Sequence, residues 1–490
     1  MKTSIRHLLI ATILLLGSSI QASLGKELFS AKVIEKAKKA VVTIHGSASL
    51  KAYDDKSNAW SGTGFIIDKH QGHVLTNAHI VGRAVIGTYH LFFYDGTRAD
   101  AKLLYYDPWL DYAFLQVDPT TIPHGATEIK FSSKDPVMDQ PVFIIGNNEG
   151  KSFSTHTGTV TGLYEIAGNL PQHSIRLSLN TRGGSSGSPV MNQQGEAIAL
   201  HYGGSDTFGI GLHAAYIRYV LGFIAKGKSP IRKHIGVITE IYSLNEAAKY
   251  RDFPNDKIQA YNKKFPLSLG NAIQVSRTLP GSPAEGRLMA GDIIWAVNGQ
   301  EIGPSLVELD LAMNMAEKDS VRLTIFRDGQ WQEVDMLLYN LEDHKITQMV
   351  SFGGALFFEA DDFFSDKTGM PAKTLTFAIA QSSATFNQVM PYFSTEQGRI
   401  FFLKLLTLNQ TPVANLAQLM HAIPKLIQKK YFTISYINYL PQSTNFGNWY
   451  IFAHNYHKAD VAYDENSPEP RLFTFDTQQM EWKSEFILQK

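Results

Sequence analysis

Residues 183–190 read Gly183-Gly184-Ser185-Ser186-Gly187-Ser188-Pro189-Val190. Glycines on both sides of a serine pair permit backbone conformations that other residues avoid, and the Pro-Val pair starts a strand-like run. A Gly/Ser stretch alone is an ordinary loop. Two strings upstream change its reading. Leu75-Thr76-Asn77-Ala78-His79-Ile80-Val81 sets a histidine at the end of an apolar strand, beside small residues that let a backbone approach. Leu110-Asp111-Tyr112-Ala113-Phe114-Leu115 sets an aspartate at the mouth of another. With 16 histidines in the chain, a lone histidine is more often structural. The joint occurrence, in the order His79, Asp111, Ser186, carries the signal.

These residue types suit acyl transfer. A hydroxyl is a weak nucleophile, so an imidazole must take its proton. A buried carboxylate holds the imidazole in the right tautomer and stabilises its charged form. The oxyanion needs fixed N–H donors, and the glycines allow Gly184 and Ser186 to aim theirs at one point. Gly187 leaves room for the acyl group. The order His, Asp, Ser is that of the chymotrypsin-type barrel, not of subtilisin or the α/β-hydrolases.

Residues 27–225 resemble the trypsin-like proteases of the HtrA/Deg family. The likeness lies in Ser61-Gly62-Thr63-Gly64-Phe65-Ile66-Ile67, in Asp95-Gly96 with Asp107 to Asp111, in Ile145-Gly146-Asn147, in Thr157-Gly158-Thr159-Val160, and in Gly209-Ile210-Gly211-Leu212. The family often has Gly-Asn-Ser-Gly-Gly where this chain has Gly184-Ser185-Ser186-Gly187-Ser188. Ser186 is favoured over Ser185 because glycine follows it directly and Pro189-Val190 follows after one more residue. Ser185 stands where related zymogens keep an activating aspartate, so activation by a freed N-terminus is not expected. By resemblance, Leu200-His201-Tyr202 is the strand against which a substrate lies. No acidic residue is placed to select a basic side chain, so small or medium apolar residues are expected at the cleavage position.

Outward from this core, Gly227 to Pro230 reads as a linker. Residues 232–341 resemble a PDZ domain through Leu279-Pro280-Gly281-Ser282-Pro283-Ala284, Ala290-Gly291-Asp292-Ile293-Ile294 and Val297-Asn298-Gly299. Such domains hold a peptide C-terminus on a sheet edge, with backbone amides on its carboxylate. Ile235, Gly236 and Val237 match that carboxylate loop. An insertion, about Tyr250 to Leu269, is placed to cover or alter the groove. Residues 342–490 echo the same unit: Leu408-Asn409-Gln410-Thr411-Pro412-Val413 parallels Val297-Asn298-Gly299-Gln300-Glu301-Ile302. This second, degenerate PDZ-like domain is expected to serve assembly or regulation, with Gly353-Gly354-Ala355-Leu356-Phe357 as a vestigial loop.

At the N-terminus, Lys2, Arg6 and His7 precede an apolar run from Leu8 to Leu16, then small and polar residues. This is the pattern of a secretory signal peptide, here residues 1–22, too short to span a bilayer. The 490 residues carry no cysteine and no net charge, and 44% are hydrophobic. Disulfides, thiolate chemistry and a nucleic-acid partner are therefore not expected, nor is any cofactor or metal. The expected protein is mainly β: a chymotrypsin-like double β-barrel over 27–226, then the two PDZ units. The resemblance implies an exported, periplasmic, ATP-independent serine endopeptidase that degrades unfolded or mislocalised proteins and binds peptide C-termini. It also implies a homotrimer or an assembly of trimers, with no stable membrane span once the signal is removed. A non-catalytic chaperone or adaptor on the same fold, or a protease dedicated to one partner, are the alternatives.

Overall fold

The computed structural model describes residues 28–51, 59–82, 85–166, 172–379, 385–389, 402–443, 449–479 and 481–488. The signal-peptide segment lies outside the described residues. Among those described, no helix is long and apolar enough to cross a membrane.

A short helix, α1 (Ala31–Lys38), leads into the first barrel. Its strands are β1 (Val41–Lys51), β2 (Ala59–Asp68), β3 (His73–Thr76), β4 (Val85–Phe92), β5 (Arg98–Asp107) and β6 (Tyr112–Val117), with a one-turn helix α2 (Ala78–Val81) after β3. They close in the order β1-β2-β3-β6-β5-β4. The turn read at Asp95-Gly96 joins β4 to β5: Asp95 Oδ1 accepts from Thr97 N at 3.0 Å. Gly96 takes a positive φ of 84° there.

The second barrel uses β7 (Pro141–Gly146), β8 (Ser154–Ile166), β9 (His173–Leu177), β10 (Pro189–Met191), β11 (Ala197–Gly204) and β12 (Gly209–His213), closed as β10-β11-β12-β9-β8-β7. Helix α3 (Ala214–Ile224) follows. Closure removes open strand edges and buries alternate side chains inside. Val142, Ile144, Val160, Ile175, Leu177, Val190 and Ile198 form part of that interior.

The PDZ domain starts with β13 (Lys233–His234) and β14 (Val237–Ser243). Helices α4 (Leu244–Arg251) and α5 (Asn255–Lys264) intervene before β15 (Asn271–Thr278), β16 (Ile293–Val297) and β17 (Gln300–Glu301). Helix α6 (Leu306–Asn314), β18 (Ser320–Arg327), β19 (Gln330–Leu337) and β20 (Tyr339–Asn340) complete it. The sheet order is β14-β15-β16-β18-β19, with β17 on β16. The insertion does not cover the groove beside α6. Its Phe253, Ile258 and Tyr261 join Ile293, Trp295 and Phe326 in one cluster. The cluster under α6 instead holds Ile294, Leu323 and Ile325 with Leu306, Leu309 and Met313. Neighbouring strand residues point to opposite faces, so the insertion packs on the far side of the sheet.

The last unit repeats this plan. Its elements are β21 (Gln348–Phe352), β22 (Ala355–Glu359), α7 (Asp362–Thr368), β23 (Leu375–Ile379), β24 (Phe402–Leu408), β25 (Thr411–Pro412), α8 (Leu416–Lys429), β26 (Tyr431–Ser443), β27 (Trp449–Ala462), β28 (Arg471–Asp476) and β29 (Glu481–Phe486). The run β22-β23-β24-β26-β27, with β25 on β24, matches the PDZ order strand for strand. The sequence echo sits at the same turn in both. Asn298 and Asn409 have φ of 49° and 48°. Asn298 Oδ1 accepts from Arg322 N, and Asn409 Oδ1 from Thr433 N, each at 2.9 Å. The two units differ at one edge. β22 is paired by β21, and β28 and β29 continue beyond it. Gly353-Gly354, read as a vestigial carboxylate loop, makes the turn of the β21–β22 hairpin.

Candidate active site

β3 delivers the histidine and the β5–β6 turn delivers the aspartate. His79 begins the turn of α2, right after the buried Asn77. Asn77 Nδ2 donates to the Asp111 carbonyl at 2.9 Å, which ties the two strands at that point. Asp111 sits at φ 57°, a left-handed conformation that costs a non-glycine residue free energy and persists where surroundings impose it. They do so here. Asp107 Oδ1 accepts from Trp109 N at 2.9 Å and Leu110 N at 2.8 Å, folding the turn. The other oxygen of Asp107 takes the buried Arg232 guanidinium.

Both Asp111 carboxylate oxygens face His79. Oδ1 accepts from the His79 backbone amide at 2.9 Å, and Oδ2 lies 2.7 Å from Nδ1. The Asp111 side chain is 6% exposed, that of His79 36%. A carboxylate at this distance holds a proton on Nδ1 and leaves Nε2 as the acceptor.

The serine loop is docked onto β2 by one residue that the sequence did not mark as functional, Thr63. Its amide donates to the Ser186 carbonyl at 2.9 Å. Its hydroxyl donates to the Gly184 carbonyl at 2.8 Å and accepts from Asn147 N at 2.9 Å. Thr63 thus joins both barrels to the serine loop. Gly187 runs so close that an added Cβ would collide with the Thr63 carbonyl, and its φ of 87° also calls for glycine. Gly187 N donates to the His201 carbonyl at 2.9 Å, stitching the loop to β11.

The two serines differ. Ser185 is buried, and its hydroxyl donates to the Arg182 carbonyl at 2.6 Å. Ser186 is partly exposed, and its hydroxyl reaches only the Tyr202 carbonyl, at 3.4 Å. Gly184 has φ 95°, and the preceding carbonyl, Gly183 O, is turned away to accept from Glu149 N at 3.0 Å. Among the described residues, the N–H groups of Gly184 and Ser186 have no acceptor. Three loops around the serine are clamped at the surface. Arg182 pairs with Glu149 at 2.5 Å and with Asp206 at 2.9 Å. These residues were missed because nothing local in the sequence links them.

The strand Leu200-His201-Tyr202 lies beside the serine, but its side chains diverge. Leu200 is in the barrel core. His201 is buried beneath the loop, and Tyr202 OH bonds Ser174 Oγ at 2.8 Å.

The PDZ loop is placed differently. Ile235, Gly236 and Val237 are all buried. Gly236 N donates to His234 Nδ1 at 3.0 Å, so that amide is already used. The elements flanking a peptide groove, β14 and α6, meet the protease domain. Ile238 and Val307 share a buried cluster with Tyr216, Ile217 and Val220 of α3. Tyr216 OH donates to Asp310 Oδ2 at 2.8 Å, and Ser305 Oγ lies 3.1 Å from His173 Nδ1. Burial pushes Asp310 up to about 6 and His173 down to about 3.

The chain matches known families in two stretches. Residues 62–200 match the trypsin-like peptidase domain and residues 255–326 the PDZ domain. An uncharacterized protein of Rickettsia prowazekii is 33% identical over 189 residues, which cover 38% of this chain and 97% of that one. A pro-apoptotic serine protease, NMA111, of Meyerozyma guilliermondii is 30% identical over 338 residues, 66% of this chain and 34% of that one. The chain therefore spans about a third of that fungal relative. A solved structure of the HtrA-type protease AlgW with a tripeptide is 19% identical, covers 63% of this chain and 96% of its own, and superposes with a TM-score of 0.48. With a trypsin-like peptidase domain and a PDZ domain in sequence, the chain belongs to the HtrA/Deg family of trypsin-like serine endopeptidases.

Proposed function

We propose that Ser186 is the nucleophile of an endopeptidase in which His79 is the base and Asp111 orients it. The observation that carries this reading is the pairing of an assembled His79–Asp111 couple with two unbonded amides, Gly184 and Ser186, beside the one accessible serine. His79 Nε2 takes the Ser186 proton as Oγ attacks the scissile carbonyl. The oxyanion sits on the Gly184 and Ser186 amides. His79 then gives its proton to the leaving amine, and water releases the acyl group by the same route in reverse.

The wider role follows from the family and the N-terminal segment. The enzyme is exported to the cell envelope, works without ATP as a homotrimer or an assembly of trimers, and removes unfolded or mislocalised proteins. The first PDZ domain captures peptide C-termini, and its present burial against α3 favours an enzyme whose capture site opens on demand. An extended chain can add to the rim of β11, whereas a folded protein cannot, which supports unfolded substrates. Digestion of a permanently unfolded protein and a stable globular one tests this. The unfolded protein should be cut and the globular one spared. Loss of neither, with Ser186 intact, would favour the chaperone or adaptor reading.

A further inference from the structure

The catalytic reading leaves one cluster unused. His201 and Thr181 are 1% and 4% exposed, yet His201 Nδ1 and Thr181 Oγ1 have no hydrogen-bond partner. A buried polar atom without a partner is costly, and two at one place call for a ligand. They do meet at one place. A Cβ built on Gly209 of β12 would lie 3.4 Å from His201 Cε1 and 3.6 Å from Thr181 Cγ2. Glycine there keeps the space open. Leu179 closes a side of it, with its Cβ 3.5 Å from the same point.

The location is informative. His201 precedes Tyr202, whose carbonyl is beside Ser186 Oγ. Thr181 begins the segment that runs into the serine loop. A substrate strand laid along β11 with its scissile carbonyl at Ser186 therefore points the side chain before the cut into this space. We infer that this space is the primary specificity pocket and that it takes a side chain ending in a primary carboxamide, held by His201 and Thr181. The inference rests on the peptidase reading above.

The chemistry selects among polar groups. The Ser185 proton goes to the Arg182 carbonyl, so the 3.3 Å contact between Ser185 Oγ and His201 Nε2 is made by the Nε2 proton. That assigns Nδ1 as a bare acceptor. A carboxamide offers its NH2 to Nδ1 and its oxygen to the Thr181 hydroxyl. A carboxylate would face Nδ1 with a lone pair, and burial, which drives the imidazole down to about 4, denies it a charged partner. The charges at the rim do not help it either, since Arg182 is paired with Glu149 and Asp206. An apolar side chain would leave both polar atoms unpaired. The apolar preference expected from the sequence missed this, because nothing local shows where the His201 ring points.

The test maps cuts made by the full chain in an unfolded protein, together with active-site labelling by a fluorophosphonate. Glutamine or asparagine before the cut should be enriched at least tenfold over leucine, valine and methionine. Thr181→Val, nearly equal in size, should lose that enrichment at least tenfold while still cutting after methionine. Cuts centred on apolar or acidic residues by a labelled enzyme would overturn the pocket assignment. So would a Thr181→Val enzyme slowed equally at all sites. No cuts and no label would instead overturn the peptidase reading on which the assignment stands.

Discussion

The molecule has two places built to meet a peptide backbone, and they stand in opposite states. At the serine loop the Gly183 carbonyl is turned away and the Gly184 and Ser186 amides are vacant. At the PDZ loop the Gly236 amide is spent on His234 and the loop is buried. The difference lies in what holds each loop. The serine loop is fixed within the protease domain, by Thr63 and by Arg182 with its acidic partners. The PDZ loop is fixed by docking on another domain, which a domain movement could undo. The last unit offers a third state, its equivalent edge being filled permanently by β21.

The largest effect should come from the first place. Ser186→Ala should lower turnover by roughly 10⁴- to 10⁶-fold, while Ser185→Ala keeps most of it. Steady-state cleavage of an unfolded protein measures both. Equal losses would erase the distinction between the two serines.

Next comes the junction between the two places. Arg232, from the segment joining the domains, is 5% exposed at its side chain and pairs with Asp107, itself 3% exposed. Arg232→Ala would leave a buried carboxylate alone, costing about 3–5 kcal/mol. Chemical denaturation should show that loss, and turnover should fall with it because Asp107 folds the turn that carries Asp111. Unchanged stability and turnover would mean that the catalytic half does not depend on this segment.

Acid should loosen the docked half. Burial holds folded His173 near 3 and His234 near 4, against about 6.5 unfolded. Between those values the unfolded chain holds the extra protons, so stability fully present above about 6.5 is lost as pH falls. Asp310, raised to about 6, works oppositely below that point and offsets part of the loss. Tm should decline from pH 7 to 5, and His173→Gln should flatten the slope. A Tm constant over that range would sever these histidines from the interface.

The smallest effect sharpens the comparison most finely. Tyr216→Phe removes the hydroxyl that bonds Asp310. It should raise affinity for a peptide with a free apolar C-terminus by about tenfold, and amidation of that peptide should cancel the gain. Fluorescence anisotropy reads both. A gain that survives amidation would mean binding elsewhere than at Ile235–Val237.

Much of this was legible in the sequence, because the informative features are local. His79, Asp111 and Ser186 each sit in a short string whose neighbours shape the backbone. The repeat was visible at Asn298 and Asn409 because a positive φ beside a strand end favours asparagine. Features that depend on distant contacts were not legible. Thr63 looked like one residue of a strand, and its bonds to 184, 186 and 147 exist only once both barrels close. The insertion at 250–269 looked like a cover for the groove. Its side was decided by Phe253 and Tyr261 stacking near Trp295, at ring distances of 5.6 and 4.8 Å. The burial of Gly236 depended on a domain contact that no string of residues announces.

The central claim is that the two adjacent serines are chemically unlike because the fold commits one and presents the other. Reaction of the full chain with a fluorophosphonate, followed by peptide mapping, tests it directly. The account predicts one adduct, on Ser186, that disappears in Ser186→Ala and when His79 is replaced by alanine. An adduct on Ser185, or labelling that survives loss of His79 unchanged, would contradict it.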